Sequence, residues 1–538
     1  MIASPHARAR DDRGIAAIWM AIFLVVLLSC AALAVDLGYR HVVAQRAQDA
    51  ADASALGGTV FLPTDFSQAS ARARELAVAN GFDPNDPNVS ISTSAVVGQP
   101  TQLKVTIRRT VPAFFGGIVG VKNMTVTKTA IADYDQPVQM GNPSNTFGNQ
   151  PDCVDACTSG DPSPEFWANL QGPGTGKSKG NAFTSNTCDS ASDGCAGGTN
   201  SDYQPEGLLY TVRNTNAGGT LRIDLFDAIY AHVGDTCNDP SLVNLHNFFA
   251  GFPAFAARYQ PGGWSAANQY CTGDESTAYP LAQDSPTRSI FRVYAPDDTP
   301  WTIADNTLVP GCSLAVDGSN DVYGDFNRIQ QWFRQWSTLC TIFGAQSGDY
   351  VLQVQAPAGT GNNNFSVRVS NGGDLTSRAV SVFGQGRMGI YANSAGAANT
   401  NFYLARILPG AAGRNLNLEF FDTGDALADA VGTLQVLPPV DATDGGSILN
   451  TFSQCQFTPP PGTSFTSTSS SCAVSGVSAA TYQGQWVRWR IPIPQGYSCD
   501  LNDPFGCWVR INFRFNGGVQ DVTSWRASLD GNPVRIIS

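Results

Sequence analysis

The sequence predicts one membrane-spanning helix, a small α/β head after it, and then two tandem antiparallel β-sandwiches of the jelly-roll type. The first observation is the run from Ile15 to Val35, which carries no charge and as a helix is about 30 Å long, the thickness of a bilayer's hydrocarbon core. The second is the composition: 54 glycines, 32 prolines and only 14% charged residues are typical of turn-rich β structure. The third is a series of strand patterns that occurs twice in the same order.

The flanks of the uncharged run predict its orientation. Residues 1–14 contain Arg8, Arg10 and Arg13, which outnumber Asp11 and Asp12. Because cytoplasmic flanks carry an excess of Lys and Arg, we expect residues 1–14 in the cytoplasm, a span at 15–35, and the rest of the chain outside.

Residues 36–135 are expected to form a helix that stands on the span, followed by the α/β head. The helix is rich in Ala and Gln and is expected to end at Gly57-Gly58. A second helix is predicted from Asp65 to Phe82, where alanines recur at helical spacing. Strand patterns follow at 89–96, 103–107 and 124–131, with a short helical turn after Pro112.

Several motifs in this region carry a family resemblance. They are Arg13-Gly14, Ala34-Val-Asp-Leu-Gly38, Ala50-Ala-Asp-Ala-Ser-Ala-Leu56, Val105-Thr-Ile-Arg-Arg-Thr-Val-Pro-Ala-Phe-Phe115 and Val126-Thr-Lys-Thr-Ala130. In order and spacing they resemble the N-terminal region of Flp/Tad pilus assembly proteins of the TadG-like type, over roughly residues 10–134. The resemblance implies a protein retained in the bacterial inner membrane, with a structural, non-enzymatic role in an adhesive pilus system.

Two alternatives to a retained anchor stay open. Ala32-Leu33-Ala34 fits a signal-peptidase site, although the uncharged run is longer than a usual signal core. The other is pilin-like processing after Gly14, but Trp19 stands where pilin-like sequences carry a glutamate. An uncleaved anchor is therefore expected.

The remainder of the chain predicts a linker at 136–152 and β-sandwiches at 153–370 and 376–538. The first sandwich contains an insertion at about 228–288, with a helix near 242–258. The matched segments are Tyr210–Arg213 with Tyr403–Arg406, Leu221–Asp227 with Leu416–Asp422, Gln335-Trp336 with Gln485-Trp486, and Tyr350–Val354 with Trp508–Ile511.

Twelve cysteines follow Cys30 of the span, and an even number is typical of an exported, disulfide-bonded chain. We expect sequence neighbours to pair, with zinc at Cys153 and Cys157 as the alternative. The disulfide candidates are Cys153, Cys157, Cys188, Cys195, Cys237, Cys271, Cys312, Cys340, Cys455, Cys472, Cys499 and Cys507.

Two motifs resemble ligand sites but are expected to be turns. Gln171-Gly-Pro-Gly-Thr-Gly-Lys177-Ser178 nearly matches a P-loop, yet no helical pattern follows it, so we expect a solvated turn and no nucleotide cofactor. Asp317, Ser319 and Asp321 offer oxygens at alternate positions, as calcium loops do, but lack the calcium-loop glycine.

Catalysis is not expected from this sequence. It has four histidines, no Gly-x-Ser-x-Gly elbow, and a carboxylate pair, Asp224 and Asp227, whose spacing places the two side chains on opposite faces of a strand. Trp264 and Trp301, in loops of the first sandwich, are the candidate ligand-facing aromatics. Trp336 and Trp486 occupy equivalent repeat positions and are expected in the core.

The predicted partners follow from charge and resemblance together. A net charge of −12 and a pI near 4.7 argue against nucleic acid, which requires a basic surface. The expected partners are the membrane and pilus assembly or secretion proteins, or the pilin itself. The alternative function is a surface adhesin that binds cell-wall or surface glycans and uses the same anchor.

Overall fold

The chain forms two compact units, of which unit 1 comprises Met1–Asp135 with Gly531–Ser538, and unit 2 comprises Gln136–Asp530. The computed structural model describes residues 13–62, 66–96, 99–134, 137–149, 166–188, 199–231, 272–275, 287–297, 301, 303–304, 306–317, 331–394, 398–422, 431–458, 467–478, 482–503, 505–530 and 534–536.

Among its described residues, unit 1 contains two α-helices and a four-stranded antiparallel sheet. The helices are α1 (Arg13–Thr59) and α2 (Phe66–Ala79). The strands are β1 (Val89–Val96), β2 (Gln99–Pro112), β3 (Asn123–Tyr134) and the last strand of the chain, β28 (Val534–Ile536). The predicted second helix and the three predicted strands of the head are confirmed.

Helix α1 is a candidate membrane span by length and composition. The described part of its uncharged run is apolar on every side, and side chains such as Trp19, Phe23 and Leu27 are more than half exposed. A helix that is apolar all round and lies outside the protein core has the character of a membrane span. The helix continues without a break to Thr59, so the span and the polar helix are one element.

The upper part of α1 packs on the sheet through small side chains. Ala47, Ala50, Ala51 and Ala55 are at most 1% exposed and share a core with β2 and β3. The helix runs along β3 in the same direction, since the Gln48 side chain donates to the carbonyl of Thr129 and the Thr59 hydroxyl to that of Ala132 (3.3 Å each).

Gly57 and Gly58 were expected to end α1, but the helix includes both. A Cβ at Gly57 would lie 2.1 Å from Leu76 Cδ1, and one at Gly58 would lie 2.6 Å from the carbonyl oxygen of Ala69. The two glycines therefore serve the close approach of α1 to α2. Glycine is required at these two positions because a larger residue would clash with α2, and not because the helix ends there.

The end of the chain returns to unit 1. Strand β28 pairs antiparallel with β3, with Val534 opposite Tyr134 and Ile536 opposite Ala132. The sequence pattern assigns these residues to the second sandwich, whereas the structure adds them to the sheet of the head. In the sequence, unit 2 therefore lies between two strands that are neighbours in the sheet of unit 1.

Unit 2 is built of β-strands. They are β4 (Gln139–Met140), β5 (Thr146–Phe147), β6 (Phe166–Gln171), β7 (Leu208–Asn214), β8 (Gly219–Phe226), β9 (Arg288–Tyr294), β10 (Leu308–Asp317), β11 (Trp336–Ala345), β12 (Gly348–Gln355), β13 (Asn362–Asn371), β14 (Val380–Gln385), β15 (Arg387–Ser394), β16 (Ala398–Arg406), β17 (Asn415–Phe421), β18 (Gly432–Leu437), β19 (Thr443–Asp444), β20 (Ser447–Ile448), β21 (Cys455–Thr458), β22 (Ser467–Ser469), β23 (Ala473–Val477), β24 (Trp486–Pro492), β25 (Tyr497–Ser498), β26 (Trp508–Phe515) and β27 (Val519–Leu529).

These strands form two long sheets whose side chains share one hydrophobic core, which is the arrangement of a β-sandwich. In the described residues one sheet has the order β10-β9-β12-β7-β14-β4-β16-β26-β18-β23, and the other β11-β8-β13-β6-β15-β27-β17-β24-β21-β22. A small sheet of β20, β19 and β25 lies apart from them. Mainly antiparallel β structure, as predicted, is confirmed.

Strands of both predicted sandwiches lie in each of the two long sheets. The segment expected to be a linker supplies β4, which pairs with β14 on one side and β16 on the other. Met140 of β4 and Phe147 of β5 are buried. Composition alone cannot reveal such two-residue strands, because Pro, Gly and Asn are typical of linkers and of tight turns alike.

Strand pairing repeats between the two halves of unit 2. Four strand pairs of the first half have counterparts in the second half. The pairs β7–β12, β9–β12, β8–β11 and β8–β13 correspond, in this order, to β16–β26, β18–β26, β17–β24 and β17–β27. All four pairs of segments matched in the sequence fall on equivalent strands or at their ends.

A side-chain cluster in the first half of unit 2 has a counterpart in the second half. Trp336 packs against Phe226 with ring centroids 5.5 Å apart, and the Arg368 guanidinium lies 4.2 Å from the Trp336 ring centre. Arg368 also donates to Asp224 at 3.2 Å.

The second half contains the same cluster at the matched positions. Trp486 packs against Phe421 at 5.3 Å, Arg526 lies 4.8 Å from the Trp486 ring centre, and Arg526 donates to Glu419. This recurrence is what an internal duplication predicts. The duplication and the boundaries 153–370 and 376–538 stay predictions, and the predicted helix near 242–258 lies outside the described residues.

We predict opposite effects for one substitution at two places in α1. Gly58→Ala should destabilise unit 1 by about 1–3 kcal/mol, because the new methyl group meets backbone in a packed core. Gly38→Ala should stabilise it by about 0.5–1 kcal/mol, because no atom lies within 4 Å of the new Cβ. Hydrogen exchange at the amides of Ala130 and Ala132 in β3 measures both effects. Equal shifts for the two variants would contradict this account of the glycines.

Candidate functional site

The best-defined polar contact of unit 1 is made by Asp36, the first charged residue after the uncharged run. Its side chain is only 4% exposed. One carboxylate oxygen accepts from the backbone N–H of Phe114 at 2.8 Å, and the other from Phe115 at 3.0 Å and Gly116 at 2.7 Å. Both oxygens of the carboxylate are therefore bonded to the turn that joins β2 to β3.

The local sequence explains why this turn presents its amides. Gly116–Val119 form a single 3-10 turn, and the first N–H groups of such a turn have no partner within it. A Cβ on Gly116 would lie 2.6 Å from the carbonyl oxygen of Val121, so only glycine fits there. Gly120 closes the turn with a φ of 86°. Asp36 supplies the missing acceptors, as a capping carboxylate does.

A ring contact accompanies the carboxylate. Tyr39, one turn further along α1, packs edge-on against Phe114 with ring centroids 5.1 Å apart. The hydrogen bonds of Asp36 join two motifs that carry the family resemblance, Ala34–Gly38 and Val105–Phe115. Asp36 and Phe114 are 78 residues apart in the sequence, and the structure brings them together. We call the hydrogen bonds of Asp36 to this turn, together with the Tyr39–Phe114 ring contact, the Asp36 junction.

The disulfide prediction is confirmed for the pairs that the structure describes. Cys312 bonds to Cys340, Cys455 to Cys472 and Cys499 to Cys507, with Cα–Cα distances of 5.0, 5.2 and 5.3 Å. Cys188 is disulfide-bonded as well. The pairings predicted at Cys153, Cys157, Cys195, Cys237 and Cys271 lie outside the described residues.

The predicted calcium-like turn cannot be placed as a site. Asp317 is the last residue of β10, while Ser319 and Asp321 lie outside the described residues. Among the residues that are described, Asp441, Cys499 and Cys507 form a group with metal-ligand spacing. Its two sulfurs are bonded to each other, and Asp441 accepts from the backbone N–H of Cys507, so this group holds a turn.

The P-loop-like segment is a turn, but a buried one. Lys177 is 3% exposed, donates to Asp202 at 2.9 Å and lies 4.9 Å from the ring centre of Phe421. The expectation of a solvated turn is wrong, because this ion pair and ring contact draw the lysine inside. Burial opposes ionisation of Asp202, but the hydrogen bond from Lys177 and its charge hold the pKa of that carboxyl below its usual value. Only the three-residue 3-10 turn Lys177–Lys179 follows the glycines.

The carboxylates considered for catalysis have separate partners. Asp224 binds Arg222 and Arg368, whereas Asp227 accepts from the hydroxyl of Thr272 and the backbone N–H of Arg334. The sequence reading missed Asp274, which has no motif around it.

Asp274 is completely buried and accepts from the backbone amides of Ala231 and Asn364. Burial, and then the nearby charge of Asp227, raise the pKa of Asp274 well above its usual value. We assign these buried acids to the core of the first half.

One predicted ligand-facing aromatic lies in a surface cleft. Trp301 is half-buried, and Trp264 lies outside the described residues. The cleft is lined by Pro137, Gln139, Thr211, Arg213, Trp301, Asp349, Phe383, Gly384 and Gln385. Arg213 donates to both oxygens of Asp349 at 2.8 and 2.7 Å, and its guanidinium lies 5.1 Å from the ring centre of Phe383. The cleft thus combines an aromatic face with fixed polar groups.

Trp336 and Trp486 were expected in the core, but both are only half-buried. Each packs between an aromatic ring and an arginine. Trp489, three residues further along, is fully buried.

Comparisons with known proteins point to the N-terminal region. The Tad family model, described as "Putative Flp pilus-assembly TadE/G-like", matches residues 14–75. This segment includes the uncharged run, Asp36 and most of α2. No curated protein matches the chain.

Two solved structures have a weak likeness to the chain. The CUB1-EGF-CUB2 domain of human MASP-1/3 is 8% identical, with 68% of this chain and 100% of that chain covered and a TM-score of 0.14. The N-terminal CBM22-1-CBM22-2 tandem domain of Paenibacillus barcinonensis Xyn10C is 10% identical, with 58% and 80% covered and a TM-score of 0.11. Neither likeness bears on the fold or the function of this chain.

We predict that the Asp36 junction stabilises unit 1. Asp36→Ala should lower the free energy of unfolding of unit 1 by about 1–3 kcal/mol. The reason is that the backbone amides bonded to the carboxylate lose their hydrogen-bond acceptor. Asp36→Asn keeps one acceptor oxygen and should cost less. Faster hydrogen exchange at the amides of Phe114, Phe115 and Gly116 reports the loss.

The matched control is Asp49→Ala, which removes an exposed carboxylate from the same helix. It should change stability by less than about 0.5 kcal/mol. Unchanged exchange in Asp36→Ala would show that the junction contributes nothing.

Proposed function

We propose that this chain is a membrane-anchored structural component of a Flp/Tad-type pilus assembly system. Residues 1–14 lie in the cytoplasm, residues 15–35 span the bacterial inner membrane, and unit 2 lies in the periplasm or outside the cell. The observation that carries the proposal is the family match over residues 14–75, which covers the candidate span and the helix that supports the head.

The cysteines support an exported bulk. Three described pairs in unit 2 are disulfide-bonded. The one free cysteine among the described residues, Cys30, belongs to the candidate span. Disulfides persist in oxidising compartments and are rare in the cytosol, so this distribution suits a chain whose unit 2 has crossed the membrane.

The polar groups of unit 2 suit a scaffold better than an enzyme. The buried acids Asp224, Asp227 and Asp274 are bonded to arginines, to backbone amides or to hydroxyl groups inside the β-sandwich. Such groups hold strands together and leave little freedom for proton transfer. A tethering or scaffolding role accordingly places the contacts with pilin or secretion proteins on the outer surface of unit 2.

We predict that unit 2 contacts pilus components in membranes of the native bacterium. Photo-reactive residues at Phe343 and Ile448, which are 80% and 72% exposed, should give cross-links to pilin or to a secretion protein. The adducts are identified by mass spectrometry. They should disappear from cells that lack the pilus genes but still make this chain.

The matched control carries the same photo-reactive residue at the buried position Trp489, where no partner can reach it. Adducts that persist without pilus genes would contradict the pilus role. Recovery of Cys499 and Cys507 as free thiols from these cells would contradict export.

A second candidate function, a glycan-binding adhesin, is favoured by the Trp301 cleft. Sugar rings pack on aromatic faces while fixed polar groups choose among hydroxyls, and this cleft offers both.

We predict that, if the adhesin function holds, the full chain binds a cell-surface or peptidoglycan-derived glycan on an array. Trp301→Ala should then weaken binding by about tenfold or more, because it removes the aromatic face. Phe343→Ala, which removes an exposed ring outside the cleft, is the control. Binding that survives Trp301→Ala, or no binding at all, rules out this site.

A further inference from the structure

The turn between β2 and β3 exposes large apolar side chains. Phe114, Phe115 and Val121 are 61%, 45% and 47% exposed. No charged residue occurs from Val111 to Val121, and the run ends at Lys122. A contiguous exposed apolar segment of this kind marks a contact surface.

The Asp36 junction determines where this segment lies. Asp36 follows Val35, the last residue of the uncharged run, and its carboxylate binds the amides of Phe114, Phe115 and Gly116. Because the run ends at this point, the exposed rings lie beside the helix at the level where it leaves the hydrocarbon core. The apolar turn is therefore continuous with the apolar surface of the span.

The charges around the turn fit an anionic lipid surface. Arg40, one turn beyond Asp36 on α1, is exposed, and so is Lys122 at the end of the apolar run. The nearest carboxylate, Asp36, is buried beneath the turn and bonded to backbone. Basic residues close to the membrane surface are attracted by acidic head groups.

We propose that the turn Pro112–Lys122 is a second membrane contact, in which Phe114, Phe115 and Val121 enter the lipid interface beside the span. The occupant of this surface is lipid. Phenylalanine is a residue that interfacial segments insert among the acyl chains, while their basic residues remain at the head groups. The inference rests on the proposed anchor, since it takes the run before Asp36 to be in the membrane.

This contact gives the junction a mechanical role. A single helix can rotate and tilt in a bilayer, and its flanking anchors restrict both movements. A turn bonded to α1 and immersed beside it adds a contact off the helix axis. Unit 1 is then held in one orientation on the membrane, which is useful for a component that presents a second unit to partners.

Spin labels on the full chain in vesicles of phosphatidylcholine and phosphatidylglycerol test the proposal. Labels are attached at Phe115→Cys and, as a second position on the turn, at Val121→Cys, in a Cys30→Ala background without reductant. Leu24→Cys reports the span. Phe66→Cys is the matched control, because Phe66 is 40% exposed and follows the far end of α1, about 35 Å from Asp36 along the helix axis.

Collision of each label with oxygen, which concentrates in lipid, is compared with collision with a water-soluble nickel chelate. Labels at positions 115 and 121 should resemble the label at position 24, with an oxygen-to-nickel ratio severalfold higher than at position 66. Nickel access at positions 115 and 121 equal to that at position 66 overturns the proposal, as does protection from both reagents, which indicates a protein contact. Nickel access at position 24 instead overturns the anchor itself.

Discussion

The buried carboxylate of Asp36 joins the first helix of unit 1 to the turn between two strands of its sheet. The part of α1 that precedes Asp36 is apolar, and the part that follows it packs on a sheet. The carboxylate oxygens accept hydrogen bonds from the amides of a turn about 78 residues away. Charged acceptors make stronger hydrogen bonds than neutral ones, and a partner lost inside protein leaves amides unsatisfied. This bond therefore fixes where along α1 the head begins, and it does so at the end of the uncharged run.

Above the junction the helix is held by close packing. The buried face of α1 above the junction consists mainly of alanines, and two glycines lie near its end, so the helix axis approaches the sheet and α2 more closely than larger side chains allow. The last strand of the chain completes the same sheet. Strands β3 and β28 are neighbours in this sheet, although the whole of unit 2 separates them in the sequence.

Unit 2 is joined across its two halves by short strands and by polar contacts. Strand β4 lies between β14 and β16, and Asp202 binds both Lys177 of the first half and Trp486 of the second. Continuous pairing of this kind gives every inner strand two neighbours, so a sheet edge is not left open where the two halves of unit 2 meet. The repeated Trp–Arg–acid clusters stand at equivalent positions in the two halves.

The sequence by itself determined the features that depend on neighbours along the chain: the uncharged run, the alanine-spaced helices and the strands of the head. The even number of cysteines indicated disulfides, but their connectivity came from the structure. Only the tertiary structure decided the partner of Asp36, the burial of Lys177 and Asp274, the strands within the expected linker, and the return of Val534–Ile536 to the head. Periodicity predicts which face of an element is buried, because that face recurs every few residues. It carries no record of a bond between residues far apart, since such a bond exists only after the intervening chain has folded and brought its two ends together.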